Sequence, residues 1–242
     1  MFGAFVRIGV LSLLPGLMAG CMIGTTQVSE QLSSADLRNS GKSVLVVSGR
    51  FISTTMSTKC QSIELRRNGD GRTAALILAT YFPGTPEESS GSVELDPGTW
   101  VVTSVDCPRG NTVYVIEPAD DRGLATIRVG AGEVIDGGNL VVIELFQPKF
   151  MGYFGKSHFS AIVRPHAGRA TAALNPELAR RLVSRPMTAV DPPGPDVLAR
   201  MCEFHREAIR NRSIWFYNGG EQAPLCQLIG DRSADAAARS SR

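Results

Sequence analysis

The sequence predicts a mainly β protein, an antiparallel β-sandwich with a small α+β appendage at its C-terminal end. Three observations predict it. Short runs rich in Val, Ile and Thr recur about every ten residues between residues 43 and 163. Gly, Pro, Asn and Asp stand between them, as in Asn68-Gly69-Asp70-Gly71, Pro83-Gly84 and Asp96-Pro97-Gly98. No amphipathic helical periods alternate with these runs, which disfavours a parallel α/β sheet and favours a sandwich or barrel.

The strands follow in order. Ser43–Ile52 is a β-branched run, and Gln61–Arg67 alternates with Ile63 and Leu65 facing inward. Ala74–Phe82 is continuously apolar, and its shortness and the following Pro-Gly favour strand over helix. Ser92–Leu95 precedes the Asp96-Pro97-Gly98 turn, and Thr99–Val105 is strongly strand-prone. Val113–Ile116, Ala125–Val129, Val134-Ile135, Leu140–Phe146 and His158–Val163 complete the set.

After Val163 the pattern changes. Asn175-Pro176 reads as an N-cap and first helical residue for a helix through Val183, with Leu178 and Leu182 at helical spacing. Thr188–Pro195 is Pro-rich and reads as a linker. Asp196–Arg210 suits a helix with Val197, Met201, Phe204 and Ala208 on one face. Ser213–Tyr217 is strand-like and could pair with Pro224–Ile229 as a hairpin, before a tail from Gly230.

The phrase Leu95-Asp96-Pro97-Gly98-Thr99-Trp100-Val101-Val102, followed by Ile127–Leu140 with its Gly130-Ala131-Gly132-Glu133 turn, resembles prealbumin-like β-sandwich modules of bacterial envelope lipoproteins. It covers about a fifth of the chain. The resemblance implies a prealbumin- or Ig-like sandwich, with a Pro-Gly-aromatic hairpin strand ahead of a strand, the Ala-Gly-Glu turn and a second strand, and implies no activity.

The N-terminus predicts the compartment. Residues 1–20 place Arg7 before an apolar stretch, Ile8–Ala19, that is too short for the roughly twenty residues of a spanning helix. A polar segment follows at once, which is the layout of a signal peptide. Leu17-Met18-Ala19-Gly20-Cys21 resembles the lipobox of bacterial lipoproteins, with Met18 where Leu is usual. That resemblance implies acylation of Cys21, a membrane anchor, and a place in the bacterial cell envelope. Met22 stands where an inner-membrane retention Asp would sit, so the periplasmic face of the outer membrane is favoured over the inner membrane. The resulting division is leader 1–20, lipidated Cys21 with a solvated leash to residue 42, sandwich 43–164, helical and hairpin region 165–229, and tail 230–242.

With Cys21 assigned to lipid, Cys60, Cys107, Cys202 and Cys226 remain, an even number in an oxidising compartment. Of three pairings, Cys60–Cys107 and Cys202–Cys226 are favoured, because each stays within one composition block. Four buried free thiols are the alternative. No CxxC occurs, so a thioredoxin-like site or zinc ribbon is unsupported.

Charge and motifs exclude more than they identify. There are 25 Lys and Arg against 23 Asp and Glu, a net charge of +2, which leaves no footprint for nucleic acid. His158, His166 and His205 are scattered, without metal-ligand spacing, and no GxSxG or SxxK nucleophile motif occurs. Cys202, Glu203 and His205 are close in sequence but diverge around one helix. Gly130-Ala131-Gly132 precedes a strand rather than a helix, so it reads as a tight hairpin turn and not a phosphate loop. Asp106, Glu117, Asp120, Asp121, Glu133 and Asp136 fall at strand ends, where some could gather around Ca²⁺, but no DxDxDG loop is present. No catalytic residue, metal site or cofactor is expected.

Phe146–Gly155 carries four aromatics, and read as a loop it offers Phe150, Tyr153 and Phe154 as an interface to an envelope protein partner or as caps on the core. The expectation is therefore a non-enzymatic envelope lipoprotein that binds or scaffolds. The alternatives are an envelope hydrolase with a site assembled from dispersed residues, and a carbohydrate- or ligand-binding module using loop aromatics.

Overall fold

The computed structural model describes residues 32–53, 57–78, 90–109, 112–118, 120–149, 154–166, 174–210, 225–226 and 230. Within them the fold is mainly β, with two sheets and a small helical part. The first sheet contains β1 (Ser43–Ile52), β2 (Ser57–Lys59), β5 (Ser90–Leu95), β9 (Val134–Lys149), β10 (Phe154–Arg164) and β11 (Leu182–Ser184). The second contains β3 (Ser62–Arg67), β4 (Thr73–Ile77), β6 (Gly98–Arg109), β7 (Thr112–Ile116), β8 (Ala125–Val129) and β12 (Thr188–Ala189).

One core lies between the sheets. Leu45, Val47, Phe51, Leu140 and Val142 of the first meet Ile63, Leu65, Trp100, Val102 and Ile127 of the second. The Trp100 indole donates to the Asp96 carbonyl at 2.9 Å, so its polar edge is satisfied inside the core. The sheets come closest where β5 passes β4. A Cβ at Gly91 would stand 2.2 Å from the Ile77 carbonyl oxygen, so only glycine fits there.

The first sheet is covered on its outer face as well. Helix α1 (Ser34–Ser40) and the single turn α2 (Pro176–Ala179) bring Leu37 and Leu178 onto Val44, Val46 and Val134. Helix α3 (Pro195–Arg210) brings Leu198, with Val197 and Met201, onto Ile52, Val141, Ile143 and Ile162 farther along the same strands. Every residue of β1 except Arg50 is therefore buried, which is why Val44–Val47 reads as an unbroken apolar run. β3 and β8 keep a solvated face and alternate.

The pairing is not purely antiparallel. β9 runs parallel to both β1 and β11, and the other pairs are antiparallel. β2 to β8, most of them strands of the second sheet, intervene in sequence between β1 and β9 and make the long crossover that a parallel pair requires.

Several expectations need correction. Residues 32–42, expected as leash, contain α1, capped by Ser33 and closed by Gly41 at φ 67°. Leu37 is fully buried, so this segment belongs to the folded body. The helix expected through Val183 stops at Ala179, because residues 182–184 pair with β9 instead. The expected linker contains β12, paired with β8. The C-terminal block is thus woven into both sheets rather than appended.

Asp136-Gly137-Gly138 does not end a strand. It forms a bulge inside β9, where Gly137 and Gly138 together oppose Val47. The extra residue shifts the inward set from Ile135 to Leu140 and Val142. Neither Pro97-Gly98 nor Gly130–Glu133 makes a hairpin, since each carries the chain from one sheet to the other. β10 begins at Phe154, so Ser157-His158 lies within a strand, not at its end. The expected hairpin strand Ser213–Tyr217 lies outside the described residues, and Leu225 and Cys226 are helical rather than extended.

Candidate functional site

A groove of about 640 Å³ opens at the far end of the first sheet from α1. Three pieces of the chain meet there. β9 supplies the floor through Leu145, and β10 contributes His158 and Ser160 from the same face. α3 supplies a wall through Val197, Arg200 and Met201. The loop after β7 supplies the rim through Asp120 and Arg122, facing Asp191 from the segment before α3. The floor is apolar because strand side chains alternate, so the outward residues Leu145 and Ile143 fall in line beneath the helix.

The rim is tied together. The Arg122 guanidinium bonds to Asp120 at 2.7 Å and to Asp191 at 2.5 Å. Hydrogen bonds from Arg122 hold the Asp120 carboxyl below its ordinary value. The Ser160 hydroxyl donates to the Asp191 carbonyl at 2.9 Å, which places that hydroxyl in a structural bond. His158 shares the groove with Ser160 but is not hydrogen-bonded to it. A recess of about 230 Å³ adjoins the rim, where Arg66 donates to the Asp121 carbonyl at 3.0 Å.

The other expected acids are dispersed. Asp106 accepts from the Ser62 hydroxyl at 2.6 Å. Glu133 accepts from both terminal nitrogens of Arg185, and that pairing holds its carboxyl below the ordinary range. Among the described residues no three His, Cys, Asp or Glu side chains converge as metal ligands.

Asp136 and His166 form a pair inside the protein. The His166 ring nitrogen Nδ1 bonds to Asp136 Oδ1, which also accepts from the Gly138 N–H at 2.9 Å. Burial pushes the Asp136 carboxyl up, but the His166 bond and the Gly138 N–H together bring it below its ordinary value. Orienting an imidazole with a carboxylate is half of a catalytic triad. Here Nε2 is closed off from solvent and lacks a hydrogen-bond partner, and neither residue lines the groove. The pair fixes the β9 bulge. The backbone N–H groups of Arg185 and Met187 donate to the carbonyls of Asp136 and Gly137 at the same place, at 2.9 Å each.

Cys60–Cys107 and Cys202–Cys226 are both disulfides. Cys21 and the aromatics Phe150 and Tyr153 lie outside the described residues. Phe154 opens β10, its backbone paired with Lys149, so the segment expected as an aromatic loop is strand on both sides of residues 150–153. Glu203 lies 3.7 Å from Arg206, and Cys202 is in its disulfide. The Asp120–Arg122–Asp191 rim was not legible in the sequence, because its members are some seventy residues apart without a shared motif. The bulge was legible in principle, since Asp-Gly-Gly within an apolar run is bulge chemistry.

No protein-family profile matches the chain, and no curated protein matches it significantly. Among solved structures, similarity is found to a leucine-rich repeat protein of Bacteroides thetaiotaomicron, at 17% identity and a TM-score of 0.28, over 47% of this chain and 14% of that one. A provisionally assigned cell adhesion protein of Bacteroides fragilis is similar at 13% identity and a TM-score of 0.23, over 52% of this chain and 46% of that one. The chain thus matches less than half the length of either, and likenesses this distant carry no functional argument.

Proposed function

We propose that this chain is a bacterial envelope lipoprotein, anchored by lipid on Cys21 and acting as a non-enzymatic binding or scaffolding module. One observation carries the reading. The four cysteines of the folded body pair with one another, which leaves Cys21 alone beside the apolar leader. A leftover thiol at the end of a lipobox-like sequence is the group that lipidation requires. Two disulfides also suit an oxidising compartment.

The mature chain would be held close to its membrane. Only eleven residue steps separate Cys21 from Leu32, the first described residue, which packs on the body, a span of at most roughly 40 Å. α1 would then face the bilayer and the groove would point away from it. The periplasmic face of the outer membrane is the favoured location, and a prealbumin- or Ig-like sandwich is the favoured lineage of the two-sheet body.

The intact mass of the purified protein, before and after reduction, tests this directly. The expected result is an acylated species beginning at Cys21 that gains four hydrogens on full reduction. An unmodified mass, or a Cys21→Ser variant that is processed and fractionates with membranes like the parent, overturns the reading. The groove favours a small-molecule or glycan ligand as a second reading, since apolar-floored clefts of this volume are ordinary ligand sites.

A further inference from the structure

The two disulfides occupy unlike surroundings. Cys60 and Cys107 are 2% and 0% exposed and lie in the core between the sheets. Cys202 is 8% exposed and Cys226 is only partly buried. They also secure different things. Cys60–Cys107 joins β6 to the start of β3, two strands already paired. Cys202–Cys226 joins α3 to Cys226, whose neighbour Leu225 is fully buried with Val141, Ile143 and Leu145.

We propose that Cys202–Cys226 is a releasable staple: its reduction by a protein dithiol uncouples Leu225 and Cys226 from α3 and loosens the α3 wall of the groove. The inference goes beyond the anchoring by Cys21 and does not depend on it. A thiolate of the dithiol attacks Sγ of Cys226, the less buried of the two residues, and the Cys202–Cys226 bond breaks with Cys202 leaving as thiolate. The second thiol of the reductant then attacks the mixed disulfide and releases Cys226. Two electrons pass to the cysteines, the reductant becomes a disulfide, and its two protons end on Cys202 and Cys226. The groove responds because Met201, next to Cys202, lines it, and Leu145 lies both in its floor and beneath Leu225. Cys60–Cys107 is shielded from the same reagent by the two sheets.

The test uses the full-length purified protein, with dithiothreitol as the dithiol and no denaturant. Free thiols are alkylated over time and mapped by mass, and trypsin cleavage at Arg200 and Arg206 of α3 is followed in parallel. Cys202 and Cys226 are expected to be alkylated at least about tenfold faster than Cys60 and Cys107. Cleavage is expected to rise with that alkylation and to fall back on reoxidation. The Cys202→Ser/Cys226→Ser double variant, if it accumulates, should be cleaved at the reduced rate without any reductant. Equal alkylation of the two pairs overturns the proposal, and so does selective reduction that leaves cleavage unchanged. If the double variant fails to fold, the parent protein alone decides between these outcomes.

Discussion

Arg185 holds Glu133 through both carboxylate oxygens, at 2.7 and 2.8 Å, and so fastens the segment between β11 and β12 to the turn that joins the two sheets. The same Glu133 accepts from the Gly130 N–H at 2.7 Å, and the Ser43 hydroxyl accepts from the Glu133 N–H at 3.1 Å. The start of β1, the turn before β9 and the strap after β11 are thereby joined at one corner. Both side chains are about a third or more exposed, so the ion pair itself contributes modestly.

The pair should be visible as pH dependence. Arg185 holds Glu133 below its ordinary 4.5, so the folded state binds the proton more weakly than the unfolded state. That stability is complete above the unfolded value and is lost as pH falls through the folded one. Thermal melts of the parent and of Arg185→Leu should therefore differ most above pH 5 and converge in stronger acid. A double-mutant cycle with Glu133→Gln at pH 7 should give a coupling of about 0.5–1 kcal/mol. A difference that grew on acidification would contradict the assignment.

Asp136 and His166 should matter more, because both side chains are withdrawn from water. His166→Leu leaves a buried carboxylate with the Gly138 N–H and without its ring partner, and should cost about 3 kcal/mol or more in urea denaturation at pH 7. Asp136→Asn keeps an acceptor for Gly138 and should cost less than Asp136→Ala. If His166→Leu cost under about 1 kcal/mol, the pair would not be what holds the bulge.

What the sequence disclosed follows from which interactions are local. β1 and β8 were legible to the residue, since strand burial writes itself into neighbouring side chains as a run or an alternation. The disulfide partners were legible from composition blocks. The helix misread at residues 175–183 shows the limit. Asn175 and Pro176 set a helix start correctly, and the Asn175 side chain accepts from the Leu178 N–H at 3.0 Å. What stops the helix is the vacant edge of β9 near Val134, some fifty residues away, which captures Leu182–Ser184. The leash was misread for the same reason, because the apolar partners of Leu37 are Val44, Val134 and Leu178, and two of those three are distant in sequence. The Asp120–Arg122 pair is local, but the Asp191 that closes the rim is distant in sequence and leaves no local trace.

Two glycines should separate steric from conformational cost. At Gly91 an added methyl meets the Ile77 carbonyl oxygen, so Gly91→Ala forces β4 and β5 apart and should cost about 2–3 kcal/mol. At Gly132 nothing lies within 4 Å, but φ is 70°, so Gly132→Ala should cost only about 1 kcal/mol through backbone strain. Chemical denaturation of both variants checks the order. Equal costs would mean that the sheets can separate at β5 without penalty.

The boundary of the folded body can be tested at one residue. Leu37 is fully buried against Val44, Val46, Val134 and Leu178, inside a stretch whose sequence is mostly polar. Were α1 part of a leash, Leu37→Ala would change nothing in unfolding. Since its side chain fills the outer face of the first sheet, the truncation should cost about 3 kcal/mol and shift the urea midpoint without changing the slope. Ser33→Ala, which removes the cap, should cost about 1 kcal/mol in the same assay. An unchanged midpoint in Leu37→Ala would return α1 to the leash and lengthen the reach of the body from its membrane by the eleven residues between Leu32 and Lys42.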